Sequence, residues 1–226
     1  MIKFENCEVM GWEHAIRGMR NPMNSWDRSD SEEFEIRNFR SNGHVEPYVV
    51  GVNDLELMLK LAKAGSVHAK YRRMITVYVD ITAPLYFWKE FDTYKVGTVA
   101  NSCSTMHKIH EKGFVLDDFS HEHLITEKEN QWGDICPTIT LECTITALNN
   151  YRKKFLETKD KKYWWQMIQL LPSSYNQKRT VMLNYEVLSN IYEYRRNHKL
   201  DEWRDFCKWI EQLPYSEIIT CGVKEE

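Results

Sequence analysis

The stretch RRMITVYVDIT (residues 72–82) alternates Ile75, Val77, Val79 and Ile81 with Thr76, Tyr78 and Asp80. Successive strand side chains point to opposite faces, so this run buries one face and shows the other. A half-buried strand obliges the chain to build a sheet and to cover its apolar side. Helical periods supply the cover. Pro84 suits the first turn of a helix through LYFWKEFDTYK. NDLELMLKLAKAG reads as a helix with a capping-box-like start at Asn53 and Glu56, with Leu55, Leu59 and Ala62 on one face and Gly65 as its stop.

Further along, TITLECTITALNNYRKKFLETK repeats Leu141, Leu148 and Phe155 at heptad spacing, and KKYWWQMIQLLP is a helix stopped by Pro172. RTVMLNYEVLSNIYEYRR reads as one helix with Asn184, Leu188, Ile191 and Arg195 on a face. DEWRDFCKWIEQL turns Trp203, Phe206, Cys207 and Ile210 inward. The opening IKFENCEVMGWEHAIRGMR is a short strand and a short helix. NPMNSWDRSDSEEFEIRNFRSNG is a loop or lid candidate, and residues 111–136 look irregular. No repeat or linker interrupts this order, so one α+β domain over residues 1–226 is expected.

The 226 residues are 42% hydrophobic and 28% charged with a formal net charge of -3, which describes a chain with a core and excludes a disordered one. That balance gives no whole-molecule attraction to nucleic acid. The runs YRKK (151–154) and KDKK (159–162) read as solvated helix faces. No apolar run approaches the length of a membrane span and the N-terminus lacks a signal core, so a cytoplasmic location is expected. Six cysteines (Cys7, Cys103, Cys136, Cys143, Cys207, Cys221) are scattered without a C-x-x-C pair and read as reduced thiols. His107, His110, His121 and His123 crowd together in polar segments without an acidic ligand pattern, and no metal site is expected.

Two stretches carry chemistry. In PLYFWKEFDTYKVGTVANSCSTMH (84–107), Lys95 precedes Gly97-Thr98 and then Asn101, Ser102, Cys103, Ser104 and Thr105. A lysine beside small hydroxyl-bearing residues suits an anionic group, and equally a helix end packed closely on a neighbour. In the second stretch Asn184 and Arg195 bracket an apolar face. Each needs a partner if buried, either another residue or a ligand head group, and the guanidinium fork suits phosphate or carboxylate.

Together, in order and spacing, these stretches resemble the flavin-dependent thymidylate synthases, most clearly from Val67 to Trp209. DITAPLYFWKEF leads into the position of that family's R-H-R-x7-S signature. Leu171, Pro172, Asn184, Leu188, Asn190 and Arg195 follow its L-P, Asn and L-x-x-N-x-x-x-x-R pattern, and DEWRDF resembles its Q-x-E-I-R segment. The resemblance implies a fold with a central antiparallel or mixed sheet and long helices, and a homotetramer with sites built between subunits. It further implies one-carbon transfer to dUMP or a related pyrimidine nucleotide, with FAD as redox carrier and NADPH and methylenetetrahydrofolate as co-substrates. Carried over residue by residue, Asn101, Ser102, Cys103, Ser104 and Arg195 would bind the nucleotide. His68, Arg73, Tyr94, Lys95, Asn184 and Asn190 would bind the flavin. No catalytic residue is assigned.

The departures are specific. The R-H-R triplet becomes Thr93-Tyr94-Lys95, the signature serine becomes Cys103, a phosphate-binding arginine becomes Thr105, and a flavin-contacting arginine becomes Glu186. Each lost charge-assisted hydrogen bond costs roughly 1.5–3 kcal/mol. Lys70, Arg72 and Arg73 offer replacement charge. The resemblance is therefore compatible with an enzyme of altered substrate, or with a homologue kept as a nucleotide-binding or structural subunit. Residue by residue, Arg195 is a nucleotide ligand or an ion pair with Glu193 or Glu202; Asn184 and Asn190 are flavin contacts or interhelical hydrogen bonds. Cys103 lines a pocket or packs, and Tyr94 stacks on a ring or fills the core.

Overall fold

A computed structural model of the protein describes residues 2–33, 48–130 and 135–222. Among these the strands are β1 (Lys3–Met10), β2 (Glu32–Glu33), β3 (Tyr48–Val49), β4 (Thr76–Pro84), β5 (Val99–Ser102) and β6 (Asn176–Asn184). The helices are α1 (Trp12–Arg20), α2 (Val52–Lys63), α3 (Leu85–Phe91), α4 (Pro137–Thr158), α5 (Lys161–Leu170), α6 (Tyr185–Arg195), α7 (Asp201–Ile210) and α8 (Glu217–Thr220). Four strands make one sheet in the order β1-β4-β6-β5, and β2 pairs antiparallel with β3. The chain gathers into two compact units. Unit 1 holds Met1–Lys3, Ile81–Thr93 and Asn101–Arg179; unit 2 holds Phe4–Asp80, Tyr94–Ala100 and Thr180–Glu226.

The alternation in β4 is realised: Val77, Val79, Ile81 and Ala83 are all buried. Within unit 2 the Tyr185 N–H donates to the Ile75 carbonyl at 3.1 Å, and the Thr180 hydroxyl donates to Asp80 Oδ1 at 2.6 Å. Numbers rise along β4 as they fall along β6, so the two strands are antiparallel.

The segment RTVMLN is a strand, which corrects the reading of 179–196 as one helix. Val181 and Leu183 are buried at period two, and helix α6 starts only at Tyr185. The start is set by Asn184, whose Oδ1 accepts from the Val187 N–H at 3.0 Å as an N-cap. Asn184 therefore lies at the helix entrance and not on a face shared with Arg195. The helical period of Leu188 and Ile191 had been extended backward over a β-branched stretch that tertiary pairing claims for the sheet.

In unit 1 the core joins α4 and α5 to the irregular segment between β5 and α4. Ile109, Phe114, Phe119, Leu141, Leu148 and Met167 form a buried cluster. The heptad pair Leu141 and Leu148 thus faces inward as its spacing requires. Phe87, Trp88 and Phe91 of α3 are also buried, with the Trp88 indole donating to the Gln177 carbonyl at 2.9 Å. Helix α3 ends at Phe91, so Thr93, Tyr94 and Lys95 lie beyond it, where the sequence had carried the helix on to Lys95.

In unit 2, α7 turns Trp203, Phe206, Cys207 and Ile210 inward, matching the amphipathic reading. The capping box read at Asn53 and Glu56 is not formed. Helix α2 starts at Val52, and the N–H groups of Asn53 and Asp54 donate instead to Asp30 at 2.9 and 3.1 Å. Its buried stripe is Asp54, Met58 and Ala62 rather than Leu55 and Leu59. The loop or lid read over 21–43 is two short 3-10 turns and β2 as far as Glu33, and its remainder lies outside the described residues.

Candidate functional site

The cofactor residues read from the sequence all belong to unit 2. Asn184 is held at the mouth of α6 by its cap, which commits Oδ1 and leaves the amide nitrogen pointing at Gly97. A Cβ added to Gly97 would meet Asn184 Nδ2 at 2.9 Å. Gly97 has φ +79°, a left-handed conformation that L side chains rarely adopt. A side chain at position 97 would therefore collide with the Asn184 amide. Beside Gly97 in sequence, Thr98 Oγ1 is buried with no hydrogen-bond partner among the described residues.

Tyr94 and Arg195 meet. Arg195 Nε donates to the Tyr94 hydroxyl at 2.9 Å, and the guanidinium carbon lies 4.8 Å from the Trp203 ring centroid and 5.8 Å from that of Tyr94. Tyr94 and Trp203 pack edge to face at 5.9 Å. This is a cation held over two rings, with α6 supplying the arginine and α7 the indole.

His68 and Lys95 are exposed, and so is Asn190 on the outer side of α6. Arg73 is largely exposed and reaches Glu186 at 3.8 Å, a long ion pair. Glu186 is itself mostly covered, and its Oε2 is buried without a hydrogen-bond partner among the described residues. The neighbouring Arg72 is buried. It donates to the Ser189 hydroxyl at 3.2 Å and to Cys221 Sγ at 3.7 Å, while its Nε finds no partner among the described residues. Tyr71 beside it has its phenol pKa pushed up by burial, with its hydroxyl donating to the Met58 carbonyl at 2.8 Å.

The nucleotide residues fall in two places. Asn101 and Ser102 end strand β5 at the sheet edge, Cys103 and Ser104 follow it, and all four are exposed residues of unit 1; Arg195 belongs to unit 2. The backbone of Cys103 is pinned on both sides: its N–H donates to the Lys178 carbonyl at 2.9 Å, and its carbonyl accepts from Gln177 Nε2 at 2.7 Å. Cys103 is exposed, which removes the packed alternative read for it. The Ser104 hydroxyl accepts from the N–H groups of Met106 and His107 at 3.3 and 2.9 Å, closing a local turn. The small polar residues that follow α3 thus form a short exposed edge strand and its turn.

Sequence reasoning passed over two polar groupings. In unit 2, Asp54 gathers Arg20, Ser29 and Ser31, next to a cleft of about 570 Å³ that Arg20 and Ser25 help to line. In unit 1, Lys3, Lys112, Asp117, Asp118, His121 and Glu122 line a cleft of about 480 Å³. Neither cleft is lined by a residue assigned to the nucleotide or the flavin. The signal was there only for the second, as charge crowding around the histidines. Among the described residues no group of three or more His, Cys, Asp or Glu side chains is placed to hold a metal ion, and no helix is long and apolar enough to cross a membrane.

No protein-family model matches the chain, and no curated protein does. Solved structures do. A crystal structure of Thymidylate Synthase X (ThyX) from Helicobacter pylori with FAD and dUMP is similar at TM-score 0.66 and 17% identity, covering 100% of both chains. A second, of flavin dependent thymidylate synthase ThyX from the same organism complexed with FAD and dUMP, is similar at TM-score 0.66 and 17% identity over 99% of each chain. At this identity the likeness is one of fold: the chain adopts an α+β, ThyX-like fold along its whole length.

Proposed function

We propose that this protein is a divergent flavin-dependent thymidylate-synthase-like enzyme that binds FAD and a pyrimidine nucleotide of the dUMP class. The supporting observation is the full-length fold likeness to ThyX structures described with FAD and dUMP. Unit 2 offers what a flavin dinucleotide needs. Asn184 Nδ2 packs against Gly97, Thr98 Oγ1 is buried without a hydrogen-bond partner among the described residues, Arg73 and Lys95 are exposed cations, and the His68 imidazole is exposed. On this reading Asn184 and Asn190 donate to the ring system, Arg73 and Lys95 neutralise the diphosphate, His68 contributes a hydrogen bond, and Tyr94 offers a ring face. FAD, when bound, supplies the redox chemistry of one-carbon transfer, with methylenetetrahydrofolate and NADPH as the expected co-substrates.

The chain's own residues have simpler tasks. Arg195 is oriented by Tyr94 and Trp203, so a nucleotide anion would meet a guanidinium already fixed in direction. Asn101, Ser102, Cys103 and Ser104 present exposed amide, hydroxyl and thiol groups in unit 1, the other nucleotide contacts that the resemblance implies. In the expected homotetramer these groups and Arg195 need not come from one protomer.

One observation favours the alternative, a non-catalytic nucleotide-binding or structural subunit. Glu186 places a carboxylate where the resemblance expects a cation, and it draws Arg73 toward itself.

The test is the visible absorption spectrum of the purified protein, alone and with FAD and dUMP. A flavin spectrum that dUMP perturbs is the expected result. A colourless protein that takes up no FAD would overturn the enzyme reading and leave the subunit reading in place.

A further inference from the structure

A concentrated run of positive charge lies where α4 turns into α5. Residues 151–165, YRKKFLETKDKKYWW, hold six basic and two acidic side chains, a net of +4 in a chain of net -3. The rest of the chain therefore carries -7. In sequence the two basic runs look like separate solvated faces. The fold brings them together, because α4 and α5 pack against each other and Lys159 makes the turn in a left-handed conformation, φ +58°.

Aromatic rings lie beneath the lysines. Tyr151 and Tyr163 stack at 6.4 Å with the Lys154 ammonium 5.6 and 5.7 Å from their centroids. Lys161 lies 5.9 Å from Trp164 and 5.7 Å from Trp165, and Lys159 lies 5.8 Å from Phe155. Lys153, Lys154, Lys159 and Lys161 are all exposed, as is the Trp165 ring. The acidic residues take up little of this charge: Asp160 is engaged by Lys162, and Glu157 is the other acidic residue of the stretch. Trp164 is anchored, its indole donating to the Met106 carbonyl at 3.0 Å. The tip is thus a row of ammonium groups resting on a fixed aromatic floor, with one indole open to solvent.

We propose that this α4–α5 tip binds single-stranded nucleic acid, with Lys153, Lys154, Lys159 and Lys161 on phosphates and a base stacked on Trp165. Clustered lysines supply the backbone attraction, and the exposed ring takes a base only where that base is unpaired. Cation–π contacts restrict the ammonium groups before binding, which lowers the ordering cost.

The test uses the full chain and a labelled oligothymidylate of about a dozen nucleotides, a typical single-strand site length, read by fluorescence anisotropy across a salt series. Expected is binding at about 50 mM salt that weakens with a log–log slope near -0.7 per lysine–phosphate contact, about -2 to -3 in all. Trp165→Ala should weaken it by about five- to a hundred-fold, the range for loss of one stacked base. Reversal of the four lysines to glutamate should abolish it while the thermal melt is kept, since all four are exposed. Absence of binding overturns the proposal. So does binding that survives the lysine reversal or the Trp165→Ala change, or that polyglutamate displaces as readily as unlabelled oligonucleotide.

Discussion

Arg20 Nε lies 2.6 Å from Asp54 Oδ1, and both side chains are almost wholly buried. The second carboxylate oxygen accepts from the hydroxyls of Ser29 and Ser31 and from the N–H groups of Asp30 and Ser31, at 2.7 to 3.2 Å. Removing one partner of such a pair leaves an uncompensated buried charge. Asp54→Ala should therefore destabilise the protein by about 3–5 kcal/mol, read by urea unfolding. Asp54→Asn should cost less, because the amide keeps an acceptor for part of the set.

The same carboxylate sets an acid limit. Burial pushes its pKa up, but hydrogen bonds from Ser31, Ser29, Arg20 and the Asp30 N–H outweigh burial and hold it below the ordinary value. The folded pKa lies below an unfolded value of about 3.9. Its stabilisation is therefore fully present above that pH and is lost as pH falls toward the folded pKa. Thermal melts of wild type and Asp54→Asn should differ most near neutrality and converge below about pH 4. A constant difference down to the lowest pH would contradict the assignment.

Asn184 serves both as the cap of α6 and as a neighbour of Gly97. Asn184→Ala should cost about 0.5–2 kcal/mol of stability through the lost cap, and Asn184→Asp should retain most of it. Gly97→Ala meets both the left-handed φ and the Asn184 amide 2.9 Å away, and about 1–2 kcal/mol should be lost. On the proposed function both Asn184→Ala and Gly97→Ala also weaken FAD uptake, whereas Asn184→Asp separates the cap from the amide donor. Denaturant curves paired with flavin titration distinguish the two effects.

Thiol reactivity should sort by position. Burial, with Glu211 nearby, pushes the Cys207 thiol up to about 12 against a smaller opposing effect of Arg196. Alkylation of the native protein near pH 8.5, the ordinary thiol pKa, should label the exposed Cys103 and Cys143 well before Cys207. Peptide mapping over time reads the order. Early labelling of Cys207 would mean that α7 does not hold its inner face as described.

Arg195→Lys keeps the charge but gives up the guanidinium's place over Trp203 and the Nε bond to Tyr94. A stability loss of about 0.5–2 kcal/mol is expected, the range for a cation over aromatic rings. If Arg195 also positions a nucleotide, the dUMP-induced change in the flavin spectrum should vanish while the FAD spectrum remains. A stability loss with the dUMP response intact would reduce Arg195 to a structural residue.

Local sequence determined the elements whose periodicity reports burial directly. Val77, Val79 and Ile81 had to form a half-buried strand, Leu141 and Leu148 had to face one side of a helix, and Trp203, Phe206 and Ile210 had to line another, because no alternative hides those side chains. Tertiary structure decided the rest. RTVMLN became a strand because β4 offered antiparallel pairing, a partner outside any local window. Asp30 took the capping role from Asn53 because a distant turn brought its carboxylate to α2. For the candidate site, the resemblance in sequence marked Asn184, Arg195 and Tyr94, but only the fold showed Asn184 as a cap beside Gly97 and Arg195 lodged on Tyr94 and Trp203. The two lysine runs at 151–154 and 159–162 were legible as charge, and their joining over an aromatic floor was not. Periodicity records which way a residue faces; which partner it meets depends on chain folded in from far away.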